Sequence, residues 1–453
     1  MGLVGRLAER IGLHRPELRA WAMYDWAVSS VQTTILVAVF PVYFVKIVAH
    51  GWPEGSASQR VAAANTVVAI VVAALGPVLG TLSDFVAAKK RFLALFVVLG
   101  AVTASGLFTV GQGDSGLGIA LFTLVLICAA ASTIFYEALL PHIAEPREID
   151  RVSTAGYALG YVGGGILLAA NLAWILNPGL FGLPQSSDPR SPTGTLPFRL
   201  AFLSVAIWWL VFSLPLFRRV REPAPLYPPN EPILRALRAT LAQFGNTLRE
   251  LRRFRQAMLF LIAFLLYNDG IQTVIKMATA YGAEIGIEDS DLIAAIMIVQ
   301  FVGIPCAFLF GMFADRFGAK RSIFVGLCVY VVITLLGYFM RTATHFYILA
   351  ALTGLVQGGT QALSRSLFAS LIPAYKSGEF FGFYSVFEKF ASIFGPLLFA
   401  IAIAVTGQSR LAVLSVVVFF IAGAAVLRRV RVEEGRKAAR DAEAAFEASQ
   451  RAA

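Results

Sequence analysis

The chain has 453 residues, of which 58% are hydrophobic and 14% charged, and its mean hydropathy is +0.73. This composition excludes an ordinary water-soluble protein, because the apolar runs are long enough to cross a hydrocarbon layer of about 30 Å, which takes about 20 helical residues. The formal net charge of +11 lies mostly between those runs, so it indicates membrane topology rather than nucleic-acid binding.

Twelve apolar runs follow one another, six before and six after a polar middle segment. They are far longer than a barrel strand and lack strict alternation, and backbone groups in lipid must be paired within the segment, so we predict helices. The predicted spans are residues 20–47, 61–86, 92–111, 117–140, 152–176, 199–217, 256–281, 291–313, 321–340, 345–372, 378–405 and 410–428. The expected fold class is an all-α membrane protein with twelve transmembrane helices.

The first predicted helix carries three polar residues, Asp25, Gln32 and Thr33. A charge near the bilayer centre costs roughly 2.5–3.5 kcal/mol, so it persists where it is paired or faces a water-filled cavity. Asp25 lies about two turns inside the end of its span, where a helix cap, a gate salt bridge and a substrate contact all remain open. Gln32 and Thr33 lie closer to midplane, and we expect them to line a binding site.

A short turn after the second helix returns after the eighth helix. Gly80 and Asp84, followed by a basic cluster, recur 231 residues later as Gly311 and Asp315, again before basic residues that include Arg316. The recurrence divides the chain into two similar halves, as inverted or parallel repeats do in transporters. Because both acids lie near helix ends, we expect them to act as conformational latches rather than as ligands.

Charged residues also occur inside the fourth and tenth predicted helices. Glu137 and Arg365 occupy the third of the membrane near the basic loops. Structural ion pairs and gate latches are both consistent with that depth, and we favour them over substrate contact.

The seventh predicted helix holds the strongest candidate site. Asp269 lies near its middle, beside Asn268, Gln272 and Thr273, and Gly270 could loosen the helix locally. We expect Asp269 to meet a cationic group or a coupling proton and the amides to donate hydrogen bonds. The alternative is that these groups only bond to neighbouring helices.

The eleventh predicted helix carries Glu388 and Lys389 near its centre. Adjacent helix positions point about 100° apart, so one side chain can enter a cavity while the other finds a partner. Glu388 facing Arg365 and Glu388 binding a proton are both open, and Lys389 is a candidate for a substrate carboxylate.

Polar segments join and follow the two halves. Leucines, phenylalanines and arginines at helical spacing in the middle segment predict an amphipathic helix on the membrane surface. The tail is rich in Ala, Glu and Arg, which indicates a solvated helix or a frayed end. The predicted division is an N-terminal six-helix bundle (1–217), a linker (218–255), a C-terminal six-helix bundle (256–429) and a tail (430–453).

Basic residues define the orientation. Of the 38 Lys and Arg residues, 29 fall in the amino end, the even-numbered loops and the tail, five fall on the other side and four lie within spans. We call the first side the basic side and predict that it is cytoplasmic, with both termini there. The expected location is a bacterial inner (plasma) membrane, and anionic lipid of the inner leaflet is an expected partner.

Soluble enzyme chemistry finds no support in the sequence. Cys128, Cys306 and Cys328 all fall in apolar spans without paired spacing, and the four histidines do not cluster. No phosphate-binding Gly-x4-Gly-Lys-Ser/Thr segment is present, so concentrative transport would need an ion gradient. We expect no enzyme activity, no metal and no cofactor.

The two six-helix halves and their repeated turn resemble the major facilitator superfamily, and the motifs resemble its vacuole effluxer-like branch. The motifs are Tyr24-Asp25-Trp26-Ala27, Phe40-Pro41-Val42-Tyr43-Phe44, Leu139-Leu140-Pro141-His142, Gly156 to Gly164, and Tyr267-Asn268-Asp269-Gly270-Ile271-Gln272-Thr273. The first turn departs from the superfamily pattern, since Phe85 stands opposite Arg316 and no Gly matches Gly318. A gating role is therefore better supported for Asp315 than for Asp84.

The resemblance implies two pseudo-symmetric bundles and the efflux or uniport of a small polar organic solute, with amino acids best supported. Protons are a possible coupling ion, and a zwitterion would suit the mixed charges. Two alternatives remain: a membrane sensor or partner-binding protein that does not transport, and a protein that moves lipid along the groove between the bundles.

Overall fold

The computed structural model describes residues 8–53, 56–85, 87–186, 188, 190–223, 254–391 and 393–452, and the described residues confirm an all-α architecture. The predicted amphipathic linker lies outside the described residues, apart from its ends. The helices are α1 (Pro16–Val48), α2 (Ser56–Phe85), α3 (Lys89–Gly106), α4 (Ser115–Ile143), α5 (Ile149–Leu176), α6 (Leu196–Arg219), α7 (Arg255–Glu284), α8 (Asp289–Phe317), α9 (Ala319–Tyr338), α10 (Ala343–Ser370), α11 (Ser377–Phe390 and Phe394–Thr406), α12 (Ser409–Ser415 and Val417–Arg429) and α13 (Val432–Ala452).

Eleven helices in the described part of the chain are long and apolar enough to cross a membrane. The predicted span that is not among these eleven is the tenth, which corresponds to α10; this helix is 28 residues long but more polar, with Gln357, Gln361 and Arg365 in its sequence. Because α10 packs between α8, α9 and α5, its polar side chains contact protein rather than lipid. The order of the twelve helices is that predicted.

The eleventh predicted span is not continuous, and this corrects the sequence prediction. A first segment ends at Phe390 and a second begins at Phe394. Pro396 lies in the first turn of the second segment, where it lacks the N–H that would continue the hydrogen bonds of the first. The predicted loosening at Gly270 is wrong, since α7 runs unbroken over 30 residues.

Glycines set how closely the helices approach. A Cβ on Gly76 of α2 would lie 3.1 Å from the carbonyl oxygen of Gly382 in α11, and Gly80 lies against Gly378 in the same way. Within the N-terminal bundle, Gly156, Gly160 and Gly164 of α5 lie on α1. Such smooth contacts let helix backbones meet across and within the bundles.

The tail forms helix α13, as predicted, but it is not wholly solvated. Glu443 accepts a hydrogen bond from the backbone N–H of Ala374 at 2.7 Å. Phe446 stacks on Tyr375 with 4.4 Å between ring centroids. The tail helix is therefore docked on the loop between α10 and α11.

The predicted topology can be tested by labelling single cysteines in a variant whose three native cysteines are replaced. We expect Arg91→Cys and Arg451→Cys to resist a membrane-impermeant maleimide in intact cells, and Leu180→Cys to react. All three positions are exposed, whereas the Lys89 side chain is only 3% exposed and would be shielded on either side. Labelling of Arg91→Cys in intact cells would contradict a cytoplasmic basic side.

Candidate functional site

Polar contacts between the two bundles cluster near the basic ends of their helices. The central contact is an ion pair between Asp25 of α1 and Arg365 of α10, with 3.1 Å between Oδ2 and the guanidinium. Arg365 also donates to the Ser153 hydroxyl and carbonyl of α5, each at 2.9 Å. The Arg365 guanidinium also lies 5.5 Å from the ring centre of Tyr136 in α4. This cation, which is only 1% exposed, therefore connects α10 with α1, α4 and α5 of the N-terminal bundle.

Aromatic rings enclose that ion pair. The Arg365 guanidinium lies 4.8 Å from the ring centre of Trp21 and 4.6 Å from that of Tyr157. The Tyr136 hydroxyl donates to Asp25 Oδ2 at 2.7 Å, so one carboxylate oxygen serves both partners. Cation–π contacts of this kind add to the ion pair when they are desolvated. Asp25 is therefore part of a polar contact between the two bundles, and we call such contacts latches.

The two repeated acids make unequal contacts. Asp84 is buried, lies 2.5 Å from Lys89 Nζ, and accepts from the backbone N–H groups of Gly378 and Glu379 at 3.0 and 2.8 Å. It therefore holds the amino end of α11 from the opposite bundle, where a negative charge is favoured. Asp315 pairs with Arg151 of α5 at 2.9 Å, and both side chains are about 30% exposed.

Asp84 thus makes the more buried latch, although its turn departs further from the superfamily pattern. Arg316 takes no part in the pair between Asp315 and Arg151; its guanidinium lies 5.6 Å from the ring of Phe317. The sequence could not reveal this order, because Asp84 receives its two N–H donors from a helix 294 residues further on.

We expect Asp84→Asn to destabilise the protein more than Asp315→Asn. An amide cannot replace both acceptor oxygens of Asp84, which leaves buried donors unsatisfied at a cost of about 1–3 kcal/mol. A half-exposed ion pair such as Arg151–Asp315 contributes about 0–1 kcal/mol. Thermal unfolding of both variants in one detergent compares them, and an equal loss would contradict the difference in burial.

Asp269 lies against the break in α11. Its Oδ1 accepts from the backbone N–H of Gly395 at 2.9 Å, in the first turn of the second α11 segment. Its Oδ2 is buried and has no hydrogen-bond partner among the described residues. Thr273 is turned onto the Asp269 carbonyl instead of the carboxylate. Asp269 therefore caps a half-helix and keeps one acceptor unused.

Gly270, next to Asp269, allows close packing and leaves its helix intact. A Cβ on Gly270 would come within 2.8 Å of the Phe420 ring in α12. The neighbouring Asn268 accepts from Gln361 of α10 at 2.6 Å, while its own Nδ2 is buried without a partner among the described residues. Gln361 was not among the predicted site residues, although a glutamine inside the membrane-spanning helix α10 could have indicated a polar contact there.

Charged side chains neighbour one another from the Asp25–Arg365 pair to Asp269, on helices of both bundles. Glu137 makes no hydrogen bond or ion pair within the described residues, and its charged neighbours include Arg365, Glu388 and Lys389. Lys389 pairs with Glu388 at 3.3 Å. We call the following seven residues the charge row: Asp25, Arg365, Glu137, Glu388, Lys389, Lys276 and Asp269.

Lys276 was missed as a site residue. Its side chain is exposed, and its charged neighbours are Lys389 and Asp269. Three bases and four acids give the charge row a formal net charge of −1. The predicted pairing of Glu388 with Arg365 is not seen, because Asp25 occupies the guanidinium.

The remaining candidates on α1 and α7 make no contact with the charge row among the described hydrogen bonds. Thr33 donates to the carbonyls of Ser29 and Gly164, at 3.1 and 3.2 Å, so its hydroxyl serves packing against α5. Gln32 is exposed, one helical heptad beyond Asp25. Gln272 is half-buried on α7. These amides remain candidates by position.

The sequence is similar to those of known membrane proteins. Residues 58–440 match the family model described as "Vacuole effluxer Atg22 like". An uncharacterized MFS-type transporter, YxiO, of Bacillus subtilis (strain 168) is 35% identical over 417 residues, which is 91% of this chain and 94% of that protein. Autophagy-related protein 22 of Yarrowia lipolytica is 28% identical over 64% of this chain, which spans about half of that protein's length.

Solved structures show the same fold at low identity. The major facilitator transporter FucP in its outward conformation superimposes with a TM-score of 0.66 at 14% identity, over 92% of this chain and 100% of that one. A bacterial homologue of the iron transporter ferroportin, in an outward-facing state, gives 0.63 at 17% identity, over 92% and 99%. These matches establish the fold.

Proposed function

The chain belongs to the vacuole effluxer Atg22-like family of the major facilitator superfamily, an integral multi-pass membrane transporter, and on this premise we propose that it moves a small polar organic solute by alternating access. The preferred substrate class is a zwitterion such as an amino acid. The solute binds between the two bundles beside the charge row, and the bundles rock to expose it to either side.

The charge row is the observation that carries this proposal. Each ionised side chain near the bilayer centre costs roughly 2.5–3.5 kcal/mol, and the charge row places seven ionisable side chains within membrane-spanning helices of both bundles. Ion pairs account for Asp25 with Arg365 and for Glu388 with Lys389. Glu137, Lys276 and Asp269 lack such pairs among the described residues, which favours an interior that contains water and binds ions or polar solutes.

The contacts of Asp269 and the lysines suggest how a zwitterion is held. The ammonium group, or a coupling proton, goes to the unused Oδ2 of Asp269. The amino end of the second α11 segment is already occupied by Asp269 Oδ1, so a carboxylate goes instead to Lys276 beside Lys389. Asn268, with its unpaired amide nitrogen, and Gln272, Gln32 and Thr33 supply further polar contacts.

The latches suggest which state is present. With Asp25–Arg365 and Asp84–Gly378 closed at the basic ends, the bundles meet there, so the site opens toward the opposite side. We propose that the basic side is cytoplasmic in a bacterial inner membrane and that net movement is export. The latches break and re-form once in each cycle, without enzyme chemistry.

Flux in proteoliposomes tests the proposal. Purified protein is reconstituted and assayed for uptake and counterflow with a panel of amino acids, sugars and cationic drugs, with and without a pH gradient. We expect counterflow of one class of zwitterionic solute above protein-free vesicles. Binding without flux would favour a sensor, and movement of labelled phospholipid without solute flux would favour a lipid mover.

A further inference from the structure

A cavity of about 600 Å³ lies between the basic ends of α1 and α6, within the N-terminal bundle. Its rim carries three arginines, Arg19 on α1 and Arg218 and Arg219 in the last turn of α6. All three are exposed, and none of their side chains forms an ion pair or a hydrogen bond within the described residues. The charge row and the latches use none of them.

No acid in the described structure neutralises this rim. Glu222, the nearest acid in sequence after Arg219, accepts from the backbone N–H of Lys90 at 2.9 Å. A cluster of unpaired guanidinium groups at a membrane surface favours an anion, and the planar fork of Arg matches phosphate. The rim therefore favours an anion by its charge, and guanidinium groups suit a phosphate.

The walls of the same cavity are apolar. Val211 and Leu214 of α6 are 49% and 45% exposed, and Met23 of α1 lies among the lining residues. They lie within and toward the membrane-spanning part of each helix, so the arginines stand at the surface and the apolar residues stand deeper. A free phosphate would leave this apolar surface uncovered, whereas an acyl chain would cover it.

We propose that this cavity binds the headgroup phosphate of an anionic phospholipid in the leaflet on the basic side, with an acyl chain against Val211 and Leu214. Residues 224–253, which follow α6 in the sequence, contain five arginines and two glutamates, so this segment offers no net negative charge to match the rim. This site is independent of the solute site proposed above.

The test compares lipid binding in two matched variants. Arg218→Gln/Arg219→Gln removes two rim charges, and Arg428→Gln/Arg429→Gln removes the same dipeptide from the last turn of α12 in the other bundle. Native mass spectrometry of protein titrated with phosphatidylglycerol or phosphatidylcholine gives the affinities. An attraction of the size seen for basic residues near anionic membranes predicts about a fivefold loss per rim arginine.

We expect wild type and the α12 variant to prefer phosphatidylglycerol, and the α6 variant to lose that preference. Arg19→Gln changes a single exposed residue on the opposite wall and should lose part of the preference for phosphatidylglycerol. This variant still tests the proposal if the double variant misfolds. If the α6 and α12 variants bind phosphatidylglycerol equally weakly, the preference comes from overall surface charge, and the proposal is overturned. Equal binding of both lipids by wild type, or full competition by glycerol phosphate, would also overturn it.

Discussion

The Asp269→Asn protein is expected to fold and to lose solute flux driven by a proton or cation gradient. An amide oxygen can still accept the 2.9 Å hydrogen bond from Gly395, so the cap on the second α11 segment is kept. The change removes the negative charge and the unused acceptor that we assign to a cation or a proton. Flux in proteoliposomes is expected to fall to the level of protein-free vesicles, with only a small change in melting temperature.

Two control variants separate charge from capping. Asp269→Ala removes both, and loss of a helix cap should cost about 0.5–2 kcal/mol of stability. Glu137→Gln removes another acid of the charge row, one for which the described residues show no hydrogen bond, so we expect it to act mainly on stability and to reduce flux less than Asp269→Asn does. Normal transport by Asp269→Asn across the pH range would exclude the central-acid mechanism, and Glu388 would be the next residue to test.

Arg365→Gln is expected to have the largest effect on stability. The guanidinium is 1% exposed and bridges the bundles through Asp25 and Ser153, so its loss leaves a largely buried carboxylate without its cation. Breaking a buried pair from one side costs about 3–5 kcal/mol. Thermal unfolding in detergent measures the loss.

The double variant Asp25→Asn/Arg365→Gln is the control for this effect. Removing both charges relieves the unpaired acid, so we expect it to regain a large part of the melting temperature. If the double variant is no more stable than Arg365→Gln, Arg365 acts through its aromatic neighbours Trp21 and Tyr157 instead of through Asp25.

Helix number and order were predictable because hydrophobic length and loop charge are local properties of a membrane sequence. The break in α11 was not predicted, although Gly395 and Pro396 are visible signals. Pro77, Pro141, Pro215 and Pro305 lie inside unbroken helices, so a proline alone does not decide a break. At α11 the carboxylate of Asp269 from another helix stabilises the exposed amino end, and that partner is known only in three dimensions.

The sequence predicted the residues of the candidate site better than it predicted which of them pair with one another. Asp25, Arg365, Glu388 and Lys389 were each identified, because a charge inside an apolar run stands out in the sequence. Which charges pair depends on how two bundles pack, and residues 340 positions apart form the central ion pair. Lys276 was not among the predicted site residues, and its proximity to Lys389 became visible only when helix α7 was seen beside α11.

Alternating access is the central claim, and the distance between the bundle ends tests it most directly. Spin labels at Arg147 and Arg321 report on the basic side, and labels at Asp114 and Arg341 report on the opposite side; all four positions are exposed. When the solute identified by counterflow is added, we expect part of the population to show a longer basic-side distance together with a shorter opposite-side distance. Distances that stay fixed on both sides, with solute and in the Arg365→Gln variant alike, would contradict transport by rocking of the two bundles.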